Sequence, residues 1–364
     1  LTKPRIVIWK LSAVGDVVLA TPSLRAIRRQ CPNSSMTLVV GRPVYDVVAR
    51  CPYVNEIVVY DPRRKDRTLI GKLTFLRRLK RAGFDISIDL QNSRLTHLLA
   101  WLAGVPTRIG YDRRWGWLLN RAVALPRTPM SPIAHQHHLL TSAGFQPDGE
   151  ALELWPSQAD EQQVEHLLKA AHWDATKPLV GLHLGGSGRW KTKRWDVERW
   201  AALCDRLGEQ GIPVVITGSV VDQSLGEQLL RLTRVAPIIT IGQTSLMELA
   251  CLIRRCRVYV TVDSAPLHIA TAVGTPTIAL FGPTDPARHV VPSPVVRTIN
   301  KDVFCSPCYS PRCLTVTHAC MKRIEVQDVM QVLDELLERA NAEVRRANVK
   351  PGHSSFDIRH STFS

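Results

Sequence analysis

Short apolar runs rich in β-branched residues alternate with amphipathic stretches along the first third of the chain. Runs such as RIVIW (5–9) and MTLVV (36–40) have the length and composition of buried strands. Because strands that are joined by helices pair in parallel, we predict a parallel sheet covered by helices. The predicted strands are 5–9, 36–40, 56–60 and 85–90, and the predicted helices lie near 20–30, 43–50, 67–82 and 94–103.

A second series of the same kind follows an irregular stretch around 145–178. The repetition predicts two similar α/β domains, and ligands in such sheets bind at the carboxyl ends of the strands. The cleft between the domains is therefore where we expect the functional site. The predicted strands are 179–183, 213–217, 237–241, 257–262 and 277–281, and the predicted helices lie near 195–210, 221–234, 245–253 and 265–273.

Composition and charge limit the class of protein. The longest apolar stretch, LLAWLAGV, is far shorter than the about 20 residues of a membrane-spanning helix, and no secretory segment is recognisable, so we expect a cytoplasmic protein whose nine cysteines are reduced. The net charge is +15. Residues 1–150 carry 23 basic against 10 acidic residues, whereas residues 151–364 carry 24 against 22. The first half therefore faces an anionic partner: a nucleic acid, an acidic membrane or a phosphorylated substrate.

The loop after the first predicted strand, in SAVGDVVLATP (12–22), contains one glycine and one acid. Gly15 permits a tight turn, and the helix expected to start near residue 17 directs its positive dipole end at the loop. Asp16 is then either an N-cap of that helix or a catalytic carboxylate, and both interpretations stay open. The dinucleotide fingerprint G-x-G-x-x-G is missing, which disfavours a hydride-transfer enzyme.

A glycine-rich loop in HLGGSGRWKTKRW (183–195) leaves a predicted central strand and enters a basic cluster. Glycines allow the backbone to approach an anion closely, and lysines can neutralise phosphate charge. No Gly-Lys-Ser/Thr closes the loop, so it is not a P-loop. The alternative is a solvated turn with ordinary surface lysines, but its position at the end of a strand favours phosphate binding.

Two further strand ends carry polar residues. In VTVDSAPLHIATAVG (260–274), Asp263 and Ser264 end a strand, and the following helix offers free amides near 265–268, with His268 in its first turn. This arrangement suits an anion, although an N-cap followed by a buried histidine is the simpler alternative. Asp222, which follows another strand, is either a ribose-binding acid or a residue that stabilises a helix dipole.

Together these motifs resemble the ADP-heptose:lipopolysaccharide heptosyltransferases of glycosyltransferase family 9, over roughly residues 5–340. The resemblance implies a GT-B fold of two facing Rossmann-like doubly wound domains. It implies that the first domain binds the acceptor and the second the nucleotide-sugar, and that a C-terminal helix returns to the first domain. We place the domains at 1–155 and 175–325 and the helix at 326–346, and the polar composition of 350–364 predicts a disordered tail.

The resemblance also implies roles for individual residues. Asp16 would be the catalytic base of an inverting transfer to the inner core of lipopolysaccharide, and Asp222 would bind the ribose of ADP-heptose. Ala265 stands where the family usually has glycine, so a positive φ there would strain the backbone. The residues implied to bind the donor phosphates are Ser187, Lys193, Asp263, Ser264, Ala265, Pro266 and His268.

Such a transfer needs a base near the acceptor hydroxyl and positive charge near the departing diphosphate. We expect Lys193 and the helix amides to supply that charge in place of a metal, so that no cofactor is required. The alternatives are a family 9 enzyme with another sugar or acceptor, a non-catalytic relative and a nucleic-acid-binding protein. The last is disfavoured because the basic residues lack interleaved aromatic residues.

The segment 61–85 combines nine basic residues with an apolar stripe. We expect the stripe, formed by Leu69, Ile70, Leu73, Leu76 and Leu79, to pack as in an ordinary amphipathic helix. The basic residues are expected to face the lipid A–Kdo acceptor or the anionic surface of the inner membrane, which would make the protein peripheral there. Those residues include Arg63, Arg64, Lys65, Lys72, Arg77 and Arg78.

Four cysteines and His318 lie close together near the end of the second domain. Their spacing matches no standard zinc module, so reduced structural thiols are favoured over a zinc site. A similar segment occurs in the heptosyltransferase II branch of the family. The four cysteines are Cys305, Cys308, Cys313 and Cys320.

Overall fold

The computed structural model describes residues 3–186 and 188–348 of the chain. These residues form two six-stranded sheets in which neighbouring strands are parallel. The first sheet contains β1 (Arg5–Trp9), β2 (Ser35–Gly41), β3 (Glu56–Tyr60), β4 (Ile86–Asp89), β5 (Thr107–Tyr111) and β6 (Arg121–Val123), in the order β3-β2-β1-β4-β5-β6. The second contains β7 (Val180–His183), β8 (Val214–Thr217), β9 (Ile238–Ile239), β10 (Val258–Val262), β11 (Thr277–Phe281) and β12 (Val296–Asn300), in the order β12-β11-β10-β7-β8-β9. Both sheets therefore have the same doubly wound strand order.

Helices connect the strands and cover the sheets. The first half contains α1 (Val14–Val18), α2 (Thr21–Gln30), α3 (Tyr45–Val48), α4 (Leu69–Ala82), α5 (Arg94–Leu102), α6 (Pro132–Ser142) and α7 (Gln158–Ala170). The second half contains α8 (Val197–Glu209), α9 (Gln223–Leu232), α10 (Leu246–Arg255), α11 (Ala265–Ala272), α12 (Ala319–Lys322) and α13 (Val326–Asn348). None of the helices in the described part of the chain combines the length and apolar character needed to cross a membrane.

The strands and helices predicted from periodicity are all present, with bounds that differ by a few residues. The structure adds β5, β6, β12, α6, α7 and α12, which the sequence patterns did not reveal. The stretch 145–178 is therefore not irregular throughout. Within it, Ser157 caps α7 by accepting a hydrogen bond from the amide of Asp160 at 3.2 Å, and Asp160 accepts one from the amide of Ser157 at 2.6 Å.

The side chains of the C-terminal helix that the structure describes pack on the second domain, and the expected return of the helix to the first domain stays a prediction. Leu333, Leu336 and Leu337 of α13 are buried in the apolar cluster of the second domain. The main contacts of α13 are with α8 and with the strands β10, β11 and β12. These apolar side chains of α13 therefore pack on the second sheet. The predicted disordered tail, 350–364, lies outside the described residues.

The two domains contact each other through helices that begin near the carboxyl ends of their strands. α1 packs against α11, and α3 packs against α10. One apolar cluster contains Val17 of the first domain together with Leu252 and Ile269 of the second. Because α1 follows β1 and α11 follows β10, this contact brings the carboxyl edges of both sheets together.

Candidate active site

Asp16 lies in the first turn of α1, on the edge of the first sheet that faces the second domain. The cap position is occupied by Ala13, and the amide of Ala13 donates to Asp16 Oδ2 at 3.1 Å. Asp16 is therefore the third residue of the helix and not its N-cap. Its side chain is exposed, so this contact holds the carboxylate while leaving it accessible.

Gly15 of the first domain lies against His268 of the second. A Cβ atom at position 15 would come within 2.5 Å of His268 Cδ2, and the Cα of Ala265 would be 3.5 Å away. No side chain fits there without a shift of His268 or of α1. Gly15 is thus required for the close approach of the two domains, and this approach places Asp16 beside the start of α11.

Asp263, at the end of β10, is the centre of a buried polar cluster. Its Oδ2 atom lies 2.6 Å from Lys193 Nζ, accepts a hydrogen bond from Thr284 Oγ1 at 2.6 Å and lies 3.8 Å from His289 Nδ1. Burial acts to raise the pKa of Asp263, but Lys193, His289 and Thr284 together hold it below its usual value. Lys193 Nζ also lies 4.9 Å from the centre of the Trp190 ring. The lysine is therefore fixed in position at the carboxyl edge of the second sheet.

The N-terminus of α11 differs from the expectation in two respects. Ala265 is the first residue of the helix and is not among the described residues with a positive φ, so the strain considered for alanine there is absent. The supply of free amides near 265–268 is smaller than predicted. Pro266 has no N–H group, and the amide of Leu267 donates to the carbonyl of Ser264 at 3.1 Å.

His268 is buried where α11 meets the first domain, near enough to Asp263 and Asp16 for both charges to affect its pKa. Burial lowers its pKa to about 4, and Asp263 and Asp16 only partly oppose this effect. The imidazole is therefore neutral near pH 7. A neutral imidazole can donate one hydrogen bond and accept another, but it adds no charge to the site.

The buried carboxylate of Asp222 packs against loops at the carboxyl edge of the second sheet. Its Oδ2 atom accepts hydrogen bonds from the amide and hydroxyl of Ser219, at 3.0 and 2.7 Å, and Oδ1 lies 4.0 Å from Arg194 Nη2. A Cβ on Gly185 would come within 2.4 Å of its carboxylate. Asp222 is buried, so the geometry favours a supporting role, and ribose binding stays a prediction. Ser187 lies outside the described residues.

A buried lysine behind Asp16 was not recognised from the sequence. Lys10 Nζ donates to the carbonyl of Leu90 at 3.2 Å, and burial lowers the pKa of this lysine although Asp16 and Asp89 oppose the shift. Asp89 forms a buried pair with His97 at 3.2 Å. The position of Lys10, directly after an apolar strand, was the sequence feature that could have indicated this buried lysine. His289 was missed too, because nothing in its loop distinguishes it locally.

The cysteine-bearing segment 303–320 holds the turn that carries Lys193. Thr192 Oγ1 donates to the carbonyl of Ser310 at 2.8 Å, and His318 Nε2 donates to the carbonyl of Thr192 at 2.6 Å. The four cysteines line a small cavity of about 30 Å³ beside this turn. Among the described residues no group of three or more His, Cys, Asp or Glu side chains is arranged to hold a metal ion, and both interpretations of the cysteines stay predictions.

The apolar stripe of α4 is packed only in its second half. Phe75 and Leu79 are buried, but Leu69, Ile70 and Leu73 are exposed, so the expectation that the whole stripe packs is wrong. The second half alone reaches the sheet. The basic residues expected to face the acceptor or a membrane, Arg63, Arg64, Lys65, Lys72, Arg77 and Arg78, are all exposed, and Arg78 pairs with Glu56 at 2.7 Å.

Residues 72–317 match the sequence model of glycosyltransferase family 9 (heptosyltransferase). The chain belongs to this family. It is 26% identical over 294 residues to lipopolysaccharide heptosyltransferase 2 of Escherichia coli K12, covering 78% of this chain and 84% of that protein. Its resemblance to family 9, recognised from the motifs, is therefore confirmed.

Solved structures of family 9 proteins share the fold. A family 9 glycosyltransferase from Veillonella parvula superposes with a TM-score of 0.85 at 24% identity, over 93% of this chain and 98% of that one. The E. coli ADP-heptose lipopolysaccharide heptosyltransferase II superposes with a TM-score of 0.75 at 24% identity, over 93% of this chain and 99% of that one. The predicted GT-B arrangement of two Rossmann-like domains is confirmed, and the chain is a glycosyltransferase.

Proposed function

We propose that this family 9 glycosyltransferase transfers heptose from ADP-heptose to the inner core of lipopolysaccharide with inversion at the anomeric carbon. One observation carries the proposal: α1 and α11 are in contact, so the exposed Asp16 of one domain and the Lys193–Asp263 pair of the other lie on the sheet edges that this contact brings together, and the charges of both acids act on His268. An acid and a fixed cation on opposite domains suit a base and a leaving-group site on opposite faces of a sugar. The names of the family 9 relatives support the choice of donor and acceptor.

In this mechanism Asp16 accepts the proton of the acceptor hydroxyl. The hydroxyl oxygen forms a bond to the anomeric carbon while the bond from that carbon to the diphosphate oxygen breaks, and ADP leaves with the electron pair. Since attack and departure occur on opposite faces, the configuration inverts. The hydrogen bond from Ala13 orients the carboxylate and leaves one of its oxygens free to take the proton.

Lys193 stabilises the charge that develops on the diphosphate. One of its three N–H groups is directed at Asp263, so the other two can reach phosphate oxygens. Arg194 stands next to it in sequence and the start of α11 adds the positive end of a helix dipole. Because these groups provide positive charge at the leaving group, we propose that turnover needs no divalent metal.

His268 contributes a hydrogen bond and not a charge in this proposal. Its neutral imidazole lies against Gly15 of the first domain, and the charges of Asp16 and Asp263 both act on it. The imidazole can therefore donate a hydrogen bond to an oxygen of the nucleotide-sugar without competing with Lys193 for Asp263. The basic surface of the first domain would receive the phosphorylated lipid A–Kdo acceptor.

The test is transfer from ADP-heptose to a heptosylated lipid A–Kdo acceptor, with and without a chelator. We compare the intact protein with Asp16→Asn and with the matched control Asp46→Asn, which changes an exposed acid in the first turn of α3. The expected result is turnover that survives the chelator, falls at least about 100-fold in Asp16→Asn and persists in the control. An intact protein that binds ADP but transfers no heptose would refute the donor and acceptor assignment, and other nucleotide-sugars would be screened.

A further inference from the structure

The first turn of α4 presents apolar side chains to solvent. Leu69, Ile70 and Leu73 are 72%, 78% and 42% exposed, whereas Phe75 and Leu79 further along the helix are buried against the first sheet. Leu69 and Leu73 lie four residues apart on one side of the helix, with Ile70 adjacent. Such a group of large apolar side chains at one helix end is typical of an interaction surface.

Basic residues surround this apolar turn and are held in place beside it. The backbone of the preceding loop packs so closely on α4 that a Cβ at Gly71 would come within 2.3 Å of the carbonyl oxygen of Lys65. Of the two acids in the loop, Asp66 is buried and accepts a hydrogen bond from the amide of Asp61 at 2.7 Å, whereas Asp61 is half-buried. The loop therefore turns Asp66 inward and its bases outward. The exposed basic side chains are Arg63, Arg64, Lys65, Arg67 and Lys72.

This surface lies at the same edge of the first sheet as Asp16. α4 follows β3 and runs back along the sheet, so its first turn is at the carboxyl edge, where β1 leads into the Asp16 loop. α5 begins at this edge as well, and it packs on the same face of the sheet as α4. Next to its first turn, the guanidinium of Arg94 lies 5.9 Å from the centre of the Trp115 ring. The neighbouring Trp117 is 75% exposed, and tryptophan favours the boundary between lipid and water.

We infer that Leu69, Ile70 and Leu73, with the five basic residues around them, form a docking face for an anionic lipid bilayer. The three apolar side chains enter the boundary between headgroups and acyl chains, and the basic side chains meet the lipid phosphates. This orientation turns the carboxyl edge of the first sheet, and Asp16 with it, towards the bilayer. The inference deepens the proposed function, because it explains how a lipid-linked acceptor reaches the base. The excess of like charge on this face disfavours a second copy of the chain as the occupant.

Vesicle co-sedimentation tests the docking face. The full chain is mixed with vesicles of phosphatidylethanolamine and phosphatidylglycerol, and separately with vesicles of phosphatidylcholine alone. The double variant Ile70→Glu with Leu73→Glu is compared with Val220→Glu with Val221→Glu, which changes two residues of the second domain that are 69% and 74% exposed. We expect binding to anionic vesicles only, a loss of about tenfold or more in the α4 variant, and wild-type binding in the control.

Equal binding by both double variants would overturn the inference, as would equal binding to neutral vesicles. Sedimentation velocity adds a further outcome: a dimer of the intact protein that Ile70→Glu with Leu73→Glu dissociates would assign the face to a second copy and refute lipid docking.

A transfer assay separates this inference from the proposed function. With a water-soluble core oligosaccharide as acceptor, the α4 variant should match the wild type, and with the acceptor embedded in anionic vesicles it should be several-fold slower. Absence of transfer to either acceptor by the wild type would refute the proposed function, while vesicle binding would still decide the docking face. Equal rates of the variant and the wild type on embedded acceptor would count against the docking face alone.

Discussion

Gly15, in the first turn of α1, lies directly against the imidazole of His268, in the first turn of α11. A Cβ at position 15 would stand 2.5 Å from His268 Cδ2, well inside van der Waals contact. Because Gly15 has no side chain, His268 of the second domain can approach the loop that carries Asp16 closely.

Gly15→Ala is expected to separate the base from the donor site. The added methyl group must displace His268 or α1, and a shift of this kind costs about 1–3 kcal/mol of unfolding free energy and about tenfold or more in kcat. Steady-state kinetics and urea unfolding would measure the two effects. Wild-type kcat in a folded Gly15→Ala protein would show that the contact is not needed for turnover.

Lys193→Met is expected to lower kcat about 100-fold or more and to weaken ADP binding. The substitution removes the ammonium 2.6 Å from Asp263 and leaves a buried carboxylate facing the diphosphate. Lys191→Met is the matched control, because Lys191 lies in the same turn but is exposed. Kinetics and calorimetric ADP titration measure the effect, and equal behaviour of the two variants would contradict the assignment.

His318→Ala is expected to raise the dissociation constant of ADP by several-fold, with a smaller change in thermal stability. His318 Nε2 donates to the carbonyl of Thr192, so its loss frees the turn that positions Lys193. His318→Gln, which keeps an N–H donor, should restore part of the affinity. Thr317→Ala serves as an exposed neighbour for comparison. A loss of stability with unchanged ADP affinity would assign His318 a purely structural role.

Stability is expected to fall as the pH drops from about 6.5 towards 4. Burial lowers the pKa of both His183 and His268 to about 4, partly opposed by nearby carboxylates. The unfolded chain binds protons on these histidines near pH 6.5, so their contribution is complete above that pH and is lost as the pH falls.

The protonation of each histidine should lower the free energy of unfolding by about 2 kcal/mol between pH 7 and pH 5. Urea unfolding at the two pH values would measure it. His183→Gln should flatten the dependence, whereas His166→Gln, at an exposed position, should not. The same slope in both variants would refute the role of His183.

Local patterns predicted most of the elements that are buried or clearly amphipathic, because burial on one face leaves a period within about ten residues. β6 is three residues long and mostly exposed, so it carries no such period. The Ala265 substitution looked unfavourable by comparison with the family, yet the residue has ordinary helical geometry. In the α4 stripe, spacing placed Leu69 and Leu79 on one face but could not show that only the second half is covered.

By itself the sequence determined that the chain forms two parallel α/β domains and that its polar motifs lie at strand ends, since both follow from patterns within single segments. Only the tertiary structure decided which of those residues meet. Asp263 finds Lys193 across 70 residues of chain and Thr284 across 21, while Gly15 meets His268 from the other domain. Contacts of this kind depend on the packing of whole helices and sheets, so the residues that flank each partner in the sequence do not predict them.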